Sequence, residues 1–143
     1  MARLLVVEDY PPLATVIAIG LRRDGHEVER VGSVTRAEST TGAFELAVID
    51  IELPDGSGVE LAERLLAASR CRAVVFYTAS RDRTHRAHAA LFGPVVEKSG
   101  NLDPLRDVVQ SELAALAERA LAVGGGSEPL ARATGRSGTR RLR

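Results

Sequence analysis

Phe44-Glu45-Leu46-Ala47-Val48-Ile49-Asp50-Ile51-Glu52-Leu53-Pro54-Asp55-Gly56-Ser57-Gly58-Val59-Glu60-Leu61 is the stretch that decides the fold. Phe44–Asp50 is an almost unbroken apolar run that ends on a carboxylate, and it reads as a buried strand. Leu53-Pro54-Asp55-Gly56 has the residue types of a turn. Val59, Ala62, Leu65 and Leu66 then recur at helical spacing, which predicts a helix over Gly58–Ser69. The result is one strand–helix unit with an acidic residue at the joint.

The same unit repeats on either side of this stretch. Arg3–Val7 reads as a buried strand, followed by a helix over Pro11–Asp24 with prolines in its first turn and Gly25 at its end. Glu27–Val31 is a short strand, and Ser33 caps a modest helix ending near Gly42. Beyond the central stretch, Ala73–Thr78 is rich in β-branched and aromatic residues and predicts a strand. Ser80–Leu91 predicts a half-exposed helix and Val95–Glu97 a short strand. Asp103 and Pro104 open a last helix. Strands that alternate with helices run parallel, because each crossover returns the chain in the same direction. The expected class is α/β, a five-stranded doubly wound parallel sheet.

The 143 residues carry 19 basic and 19 acidic side chains, but unevenly. Residues 1–123 hold 14 basic against 18 acidic groups, net −4, whereas residues 124–143 hold five arginines against Glu128, net +4. Gly124-Gly125-Gly126-Ser127 is expected to break the last helix, leaving 124–143 as a disordered basic tail. No apolar run approaches the roughly 18 residues of a membrane span, and Met1–Val7 lacks the pattern of a signal peptide. A cytoplasmic protein with no membrane partner is expected. Cys71 is the only cysteine, which excludes an internal disulfide and a thiolate metal cluster and suggests a buried structural thiol. His85 and His88 lack a third ligand and read as surface.

In an open α/β sheet, ligands bind at the carboxyl ends of the strands. Here those ends carry Glu8-Asp9, Asp50, Thr78 and Lys98, the last being the single lysine among 19 basic residues. Two carboxylates about 5 Å apart repel by roughly 3 kcal/mol at an effective dielectric of 20, so three of them call for a cation. Oxygen-only ligands favour a hard divalent ion such as Mg2+. Thr78 can donate to a phosphoryl group, Lys98 supplies a charge opposite the metal, and Asp50 is left as a carboxylate nucleophile. Taken singly, each residue has a structural explanation as a cap, a strand end or a surface charge. Their joint placement on four strand ends favours chemistry.

These stretches resemble the receiver domains of bacterial two-component systems, including the chemotaxis response regulator. The matching segments are Leu4–Asp9, Leu46–Leu61, Tyr77-Thr78-Ala79 and Glu97-Lys98, within about residues 2–120. The resemblance implies a flavodoxin-like sheet of order 2-1-3-4-5, spanning a receiver domain over 1–123. It implies Asp50 as phosphoacceptor, with Mg2+ held by Asp9 directly, Glu8 mostly through water, Asp50 itself and the backbone carbonyl of Glu52. Thr78 and Lys98 would hold phosphoryl oxygens, and Thr78 would move inward on activation. The phosphodonor would be a sensor histidine kinase or a phosphotransfer protein. The chain would be a signalling phosphoacceptor rather than an enzyme, and its output surface would comprise the fourth helix, fifth strand and fifth helix.

Two positions depart from the family pattern. Ser99 follows the lysine where relatives carry a cis proline, so a trans bond and an altered loop over Ser99–Asn101 are expected. Val95 stands where relatives often place an aromatic reporter of phosphorylation. With no further domain legible after residue 123, output is expected through a downstream protein or through the tail. The tail arginines could meet an acidic partner, nucleic acid or the acidic body, and nucleic acid is not otherwise expected. Three alternatives stay open: a receiver-fold interaction module that signals without phosphorylation, a haloacid-dehalogenase-like phosphatase, and a flavodoxin. The second is disfavoured because Glu8-Asp9 precedes the nucleophile strand, and the third because the first loop is acidic rather than phosphate-cradling.

Overall fold

The computed structural model describes residues 1–125. The expected disordered tail therefore lies outside the described residues, apart from Gly124 and Gly125 at the end of the last helix. The chain divides into two units, Met1–Leu113 and Ala114 onward, and the whole sheet belongs to the first. No helix among the described residues is long and apolar enough to cross a membrane.

The elements run β1 (Arg3–Val7), α1 (Pro11–Arg23), β2 (Glu27–Val31), α2 (Val34–Glu38), β3 (Phe44–Ile49), β4 (Glu52–Leu53), β5 (Gly56–Ser57), α3 (Gly58–Ala67), β6 (Cys71–Thr78), α4 (Arg83–Ala90), β7 (Val95–Glu97) and α5 (Asp103–Gly125). The five main strands form one sheet in the order β2-β1-β3-β6-β7, every pairing parallel. Counted among the main strands alone, this is the expected 2-1-3-4-5 order of a flavodoxin-like doubly wound sheet.

Alternation along the strands supplies both faces with apolar side chains. Leu5, Val7, Ala47, Ile49, Val74 and Phe76 join Val34, Val59, Leu61, Leu65 and Ala89 from α2, α3 and α4 in one buried cluster. The intervening residues Leu4, Val6, Leu46, Val48 and Val75 are buried as well, on the opposite face. Ile17 and Leu21 of α1 and Leu105 and Val109 of α5 are also buried. Arg106 of α5 grips Asp24 at the end of α1 through two hydrogen bonds, Nη2 to Oδ1 at 2.5 Å and Nε to Oδ2 at 3.0 Å. That guanidinium holds the Asp24 carboxyl below its ordinary range. Gly25, with φ at +96°, ends α1 as expected.

Three local readings are corrected. α2 stops at Glu38 rather than near Gly42, because the Ala37 carbonyl, which a continuing helix would give to the Thr41 amide, is taken by the Thr40 amide at 3.3 Å and the Thr40 hydroxyl at 2.7 Å. Arg70 binds the Thr40 and Gly42 carbonyls, and Arg3 binds those of Thr41 and Ala43. α4 begins at Arg83 rather than Ser80, since Asp82 accepts from the His85 amide at 3.0 Å and caps the helix there. The stretch expected as a simple turn after Asp50 is a two-strand antiparallel hairpin, Glu52 opposite Ser57 and Leu53 opposite Gly56.

Candidate functional site

The registers of the parallel pairs decide which residues meet beyond the strand ends. Val7 stands opposite Ile49, and Ile49 opposite Phe76. One residue further, the Asp50 amide donates to the Val7 carbonyl at 3.1 Å and the Glu8 amide to the Val31 carbonyl at 3.0 Å. At the other side Thr78 pairs with Glu97, and the Lys98 amide donates to the Thr78 carbonyl at 2.9 Å. Glu8, Asp50, Thr78 and Lys98 are therefore delivered to one sheet edge by backbone pairing.

Glu8 and Asp50 are buried, only 4% and 7% exposed, whereas Asp9 is exposed. Lys98 reaches between the two buried carboxylates, its Nζ 2.8 Å from Asp50 Oδ2 and 2.8 Å from Glu8 Oε1. The other oxygens are also engaged: Glu8 Oε2 accepts from the Tyr10 amide at 3.1 Å, and Asp50 Oδ1 from the Glu52 amide at 3.3 Å. Burial raises the Glu8 pKa above its ordinary value, opposed by the hydrogen bond from Lys98. Burial acts to lower that of Lys98, but its bonds to Asp50 and Glu8 outweigh the loss of solvent and leave it raised. The Lys98 ammonium thus stays charged between two of the three acidic side chains at this edge.

Carboxylate oxygens of Glu8, Asp9 and Asp50 lie within 4.8 Å of one another. Oxygens opposite each other around Mg2+ are separated by about 4 Å, twice the usual metal–oxygen distance. The three side chains fit a hard divalent ion, bound directly or through water. The exposed Asp9 is the least committed of the three. Glu52 is exposed on the β4–β5 hairpin, where it contributes its amide to Asp50. Thr78 is fully buried, and its Oγ1 accepts from the Ser80 amide at 3.1 Å rather than meeting the carboxylates.

Sequence reasoning missed the residues that hold this edge in shape. Asp55 accepts from the amides of Val34 and Thr35 at 2.8 and 3.0 Å and from the Thr35 hydroxyl, so the turn aspartate caps α2 across the structure. Ser57 accepts from the amides of Val59 and Glu60 and caps α3. A turn-type residue gives no local sign of such a distant amide, although Ser57 two residues before an apolar periodicity did carry a capping signal. Gly58 is required by contact: a Cβ there would lie 1.8 Å from the Asp50 carbonyl oxygen. Lys98–Ser99 is trans, as expected. Cys71 is buried and its thiol is pushed up to about 11, in keeping with a structural role.

Comparison with known proteins agrees with this geometry. The response regulator receiver domain family matches residues 4–110. The chain is 33% identical over 108 residues to the transcriptional regulatory protein TcrA of Mycobacterium tuberculosis, covering 72% of this chain and 42% of TcrA. It is 31% identical over 93 residues to the transcriptional regulatory protein CutR of Streptomyces coelicolor, covering 64% of this chain and 43% of CutR. The chain thus spans about two fifths of the length of these relatives. Among solved structures it is similar to the response regulator TrrA of Thermotoga maritima in complex with Mg2+ and beryllofluoride, with TM-score 0.70 and 26% identity, over 78% of this chain and 98% of TrrA. It is likewise similar to TrrA in complex with the histidine kinase ThkA, with TM-score 0.69 and 27% identity, over 79% and 99% of the two chains. With the sheet order, the acidic edge and the family match all in agreement, the chain belongs to the response regulator receiver domain family of two-component signalling.

Proposed function

We propose that this receiver accepts a phosphoryl group on Asp50 from the phosphohistidine of a sensor kinase or phosphotransfer protein, and that the modification switches its binding to a downstream partner. The observation that carries this reading is the Asp50 carboxylate itself. It stands just beyond the C-terminal end of β3 with Lys98 at 2.8 Å and one oxygen each of Glu8 and Asp9 within 4.8 Å. In the transfer, an Asp50 oxygen forms the new bond to phosphorus as the phosphorus–nitrogen bond of the donor breaks, and the imidazole leaves with the bonding pair and takes up a proton. Asp9, Asp50 and the backbone carbonyl of Glu52 would hold Mg2+, with Glu8 behind them through water. The ion supplies neutralisation of the incoming phosphoryl charge. Lys98 binds one phosphoryl oxygen, exchanging its contact with Asp50 for one with the modified group. Thr78 donates its hydroxyl to another, which its acceptance from Ser80 leaves free to rotate into place.

The kinase-bound TrrA supports a kinase as donor. Incubation with acetyl phosphate and Mg2+ should add one phosphoryl mass to the intact protein, and Asp50→Asn should abolish that gain. Equal labelling of Asp50→Asn would refute the assignment. Absence of labelling in the parent would favour the interaction module that signals without phosphorylation. In metal titrations, Asp9→Asn should lose more Mg2+ affinity than Glu8→Gln, because Glu8 is already occupied by Lys98 and the Tyr10 amide.

A further inference from the structure

Tyr77 is only 2% exposed, yet its hydroxyl is not directed at the core. It donates to the Ser99 carbonyl at 3.4 Å and accepts from the Ser99 amide at 3.5 Å. Each residue is next to one that shapes the site: Tyr77 precedes Thr78 on β6, and Ser99 follows Lys98 at the end of β7. Since the Lys98 amide is already bonded to the Thr78 carbonyl, the backbone is held on both sides of the lysine. The hold continues into the loop. The Ser99 hydroxyl donates to the Asn101 carbonyl at 3.0 Å and accepts from its amide at 3.3 Å, and Asn101 Oδ1 accepts from the Asp103 amide at 3.0 Å, where α5 begins. Gly100 between them has open space on its Cβ side, so this polar chain rather than packing fixes the loop at that point.

A proline at position 99 could not make this arrangement, because it has no amide hydrogen to give the tyrosine. A lysine side chain is a point charge on a flexible four-carbon stem, and its aim depends on where its backbone is fixed. A buried tyrosine hydroxyl must find a partner, and phenylalanine would fill the same volume without that demand. We propose that Tyr77 and Ser99 form a clasp between the end of β6 and the loop after β7. They are positioning residues that aim the Lys98 ammonium at Glu8 and Asp50. The proposal rests on the reading of Lys98 as the phosphoryl-binding cation.

Lys98 is the only lysine in the chain, so lysine labelled with carbon-13 gives the full-length protein a single lysine ε-carbon signal. In the parent its two ε-protons should be distinct, as expected of a fixed side chain. In Tyr77→Phe, which keeps the ring and removes the hydroxyl, they should merge towards one averaged signal. Affinity for beryllofluoride in the presence of Mg2+ should fall about three- to tenfold, while Mg2+ affinity without beryllofluoride stays within about twofold. Added to Lys98→Ala, Tyr77→Phe should cost no further beryllofluoride affinity. An unchanged Lys98 signal and affinity in Tyr77→Phe, or an equal loss in the Lys98→Ala background, would overturn the clasp. If Tyr77→Phe does not fold, Ser99→Pro removes the same amide donor with Tyr77 intact, and the same two readings apply to it. A parent that binds no beryllofluoride while Tyr77→Phe still frees the Lys98 signal would keep the clasp and defeat the phosphoryl-transfer reading.

Discussion

The loop after Asp50 and the loop after Lys98 lie at the same edge of the sheet but are held by different forces. The first is fixed by contact and capping. Gly58 packs against the Asp50 carbonyl, its amide donates to the Ile51 carbonyl at 2.7 Å, and Ser57 and Asp55 cap two helices from within the loop. The second is fixed by a chain of polar contacts through Tyr77, Ser99 and Asn101, with open space where a Cβ on Gly100 would stand. Where backbone lies on backbone, a single residue type is allowed and the sequence is recognisable on sight. Where the loop is tied by hydrogen bonds, more than one residue type can supply the tie, and here Tyr77 and Ser99 do.

Four substitutions sharpen that contrast. The largest effect is expected from Gly58→Ala. Its new methyl would fall 1.8 Å from the Asp50 carbonyl oxygen and 3.0 Å from Ile49 Cγ2, neither a flexible side-chain end. Forced overpacking costs about 1–3 kcal/mol and sometimes more. Urea unfolding should show at least that loss, together with slower labelling of Asp50. A loss under about 0.5 kcal/mol would mean that the first loop is not contact-locked. Next, Ser57→Ala removes the acceptor for the Val59 and Glu60 amides at the start of α3. Loss of such a cap costs about 0.5–2 kcal/mol in the same measurement.

Asp55→Ala should lower the melting temperature by a smaller amount, and its pH dependence identifies the cause. The amides of Thr35 and Val34 hold the Asp55 carboxyl below its ordinary value in the folded protein. A depressed carboxylate contributes stability that is present above the unfolded-state pKa and is lost as pH falls through the folded-state one. The gap between parent and variant should therefore be constant near neutrality and close in acid. A gap that persists unchanged in strong acid would show that the carboxylate charge is not what holds α2. The smallest effect belongs to Gly100→Ala. With nothing near its Cβ position and no left-handed φ, stability should stay within about 0.5 kcal/mol. A loss comparable to that of Gly58→Ala would erase the distinction between the two loops.

Much of the molecule was legible because its signals are local. The apolar runs at Leu4–Val7, Leu46–Ile49 and Val74–Tyr77 lie within the observed strands, since a central parallel strand is buried on both faces and reads as a near-continuous apolar run. Helix ends were harder. α2 ends early where the Thr40 amide and hydroxyl close on the Ala37 carbonyl, and Arg3 and Arg70, from distant parts of the chain, hold the backbone beyond it. The two-strand hairpin over Glu52–Ser57 is too short to show a periodicity.

The site divides in the same way. Which residues stand at the strand ends follows from the sequence alone, because a strand stops where its apolar run meets a carboxylate, a threonine or a lysine. From these residues also follow the family, the parallel sheet and the excess of negative charge at its edge. Tertiary structure alone decided how that charge is shared: Lys98 bridges Glu8 and Asp50 while Asp9 stays exposed. The Thr78 hydroxyl is meanwhile held by Ser80, and Tyr77 reaches across to Ser99. The reason is physical. Strand identity depends on neighbours within a few residues. The partner of a buried charge is set by registers between strands some forty residues apart, and no local pattern encodes those distances.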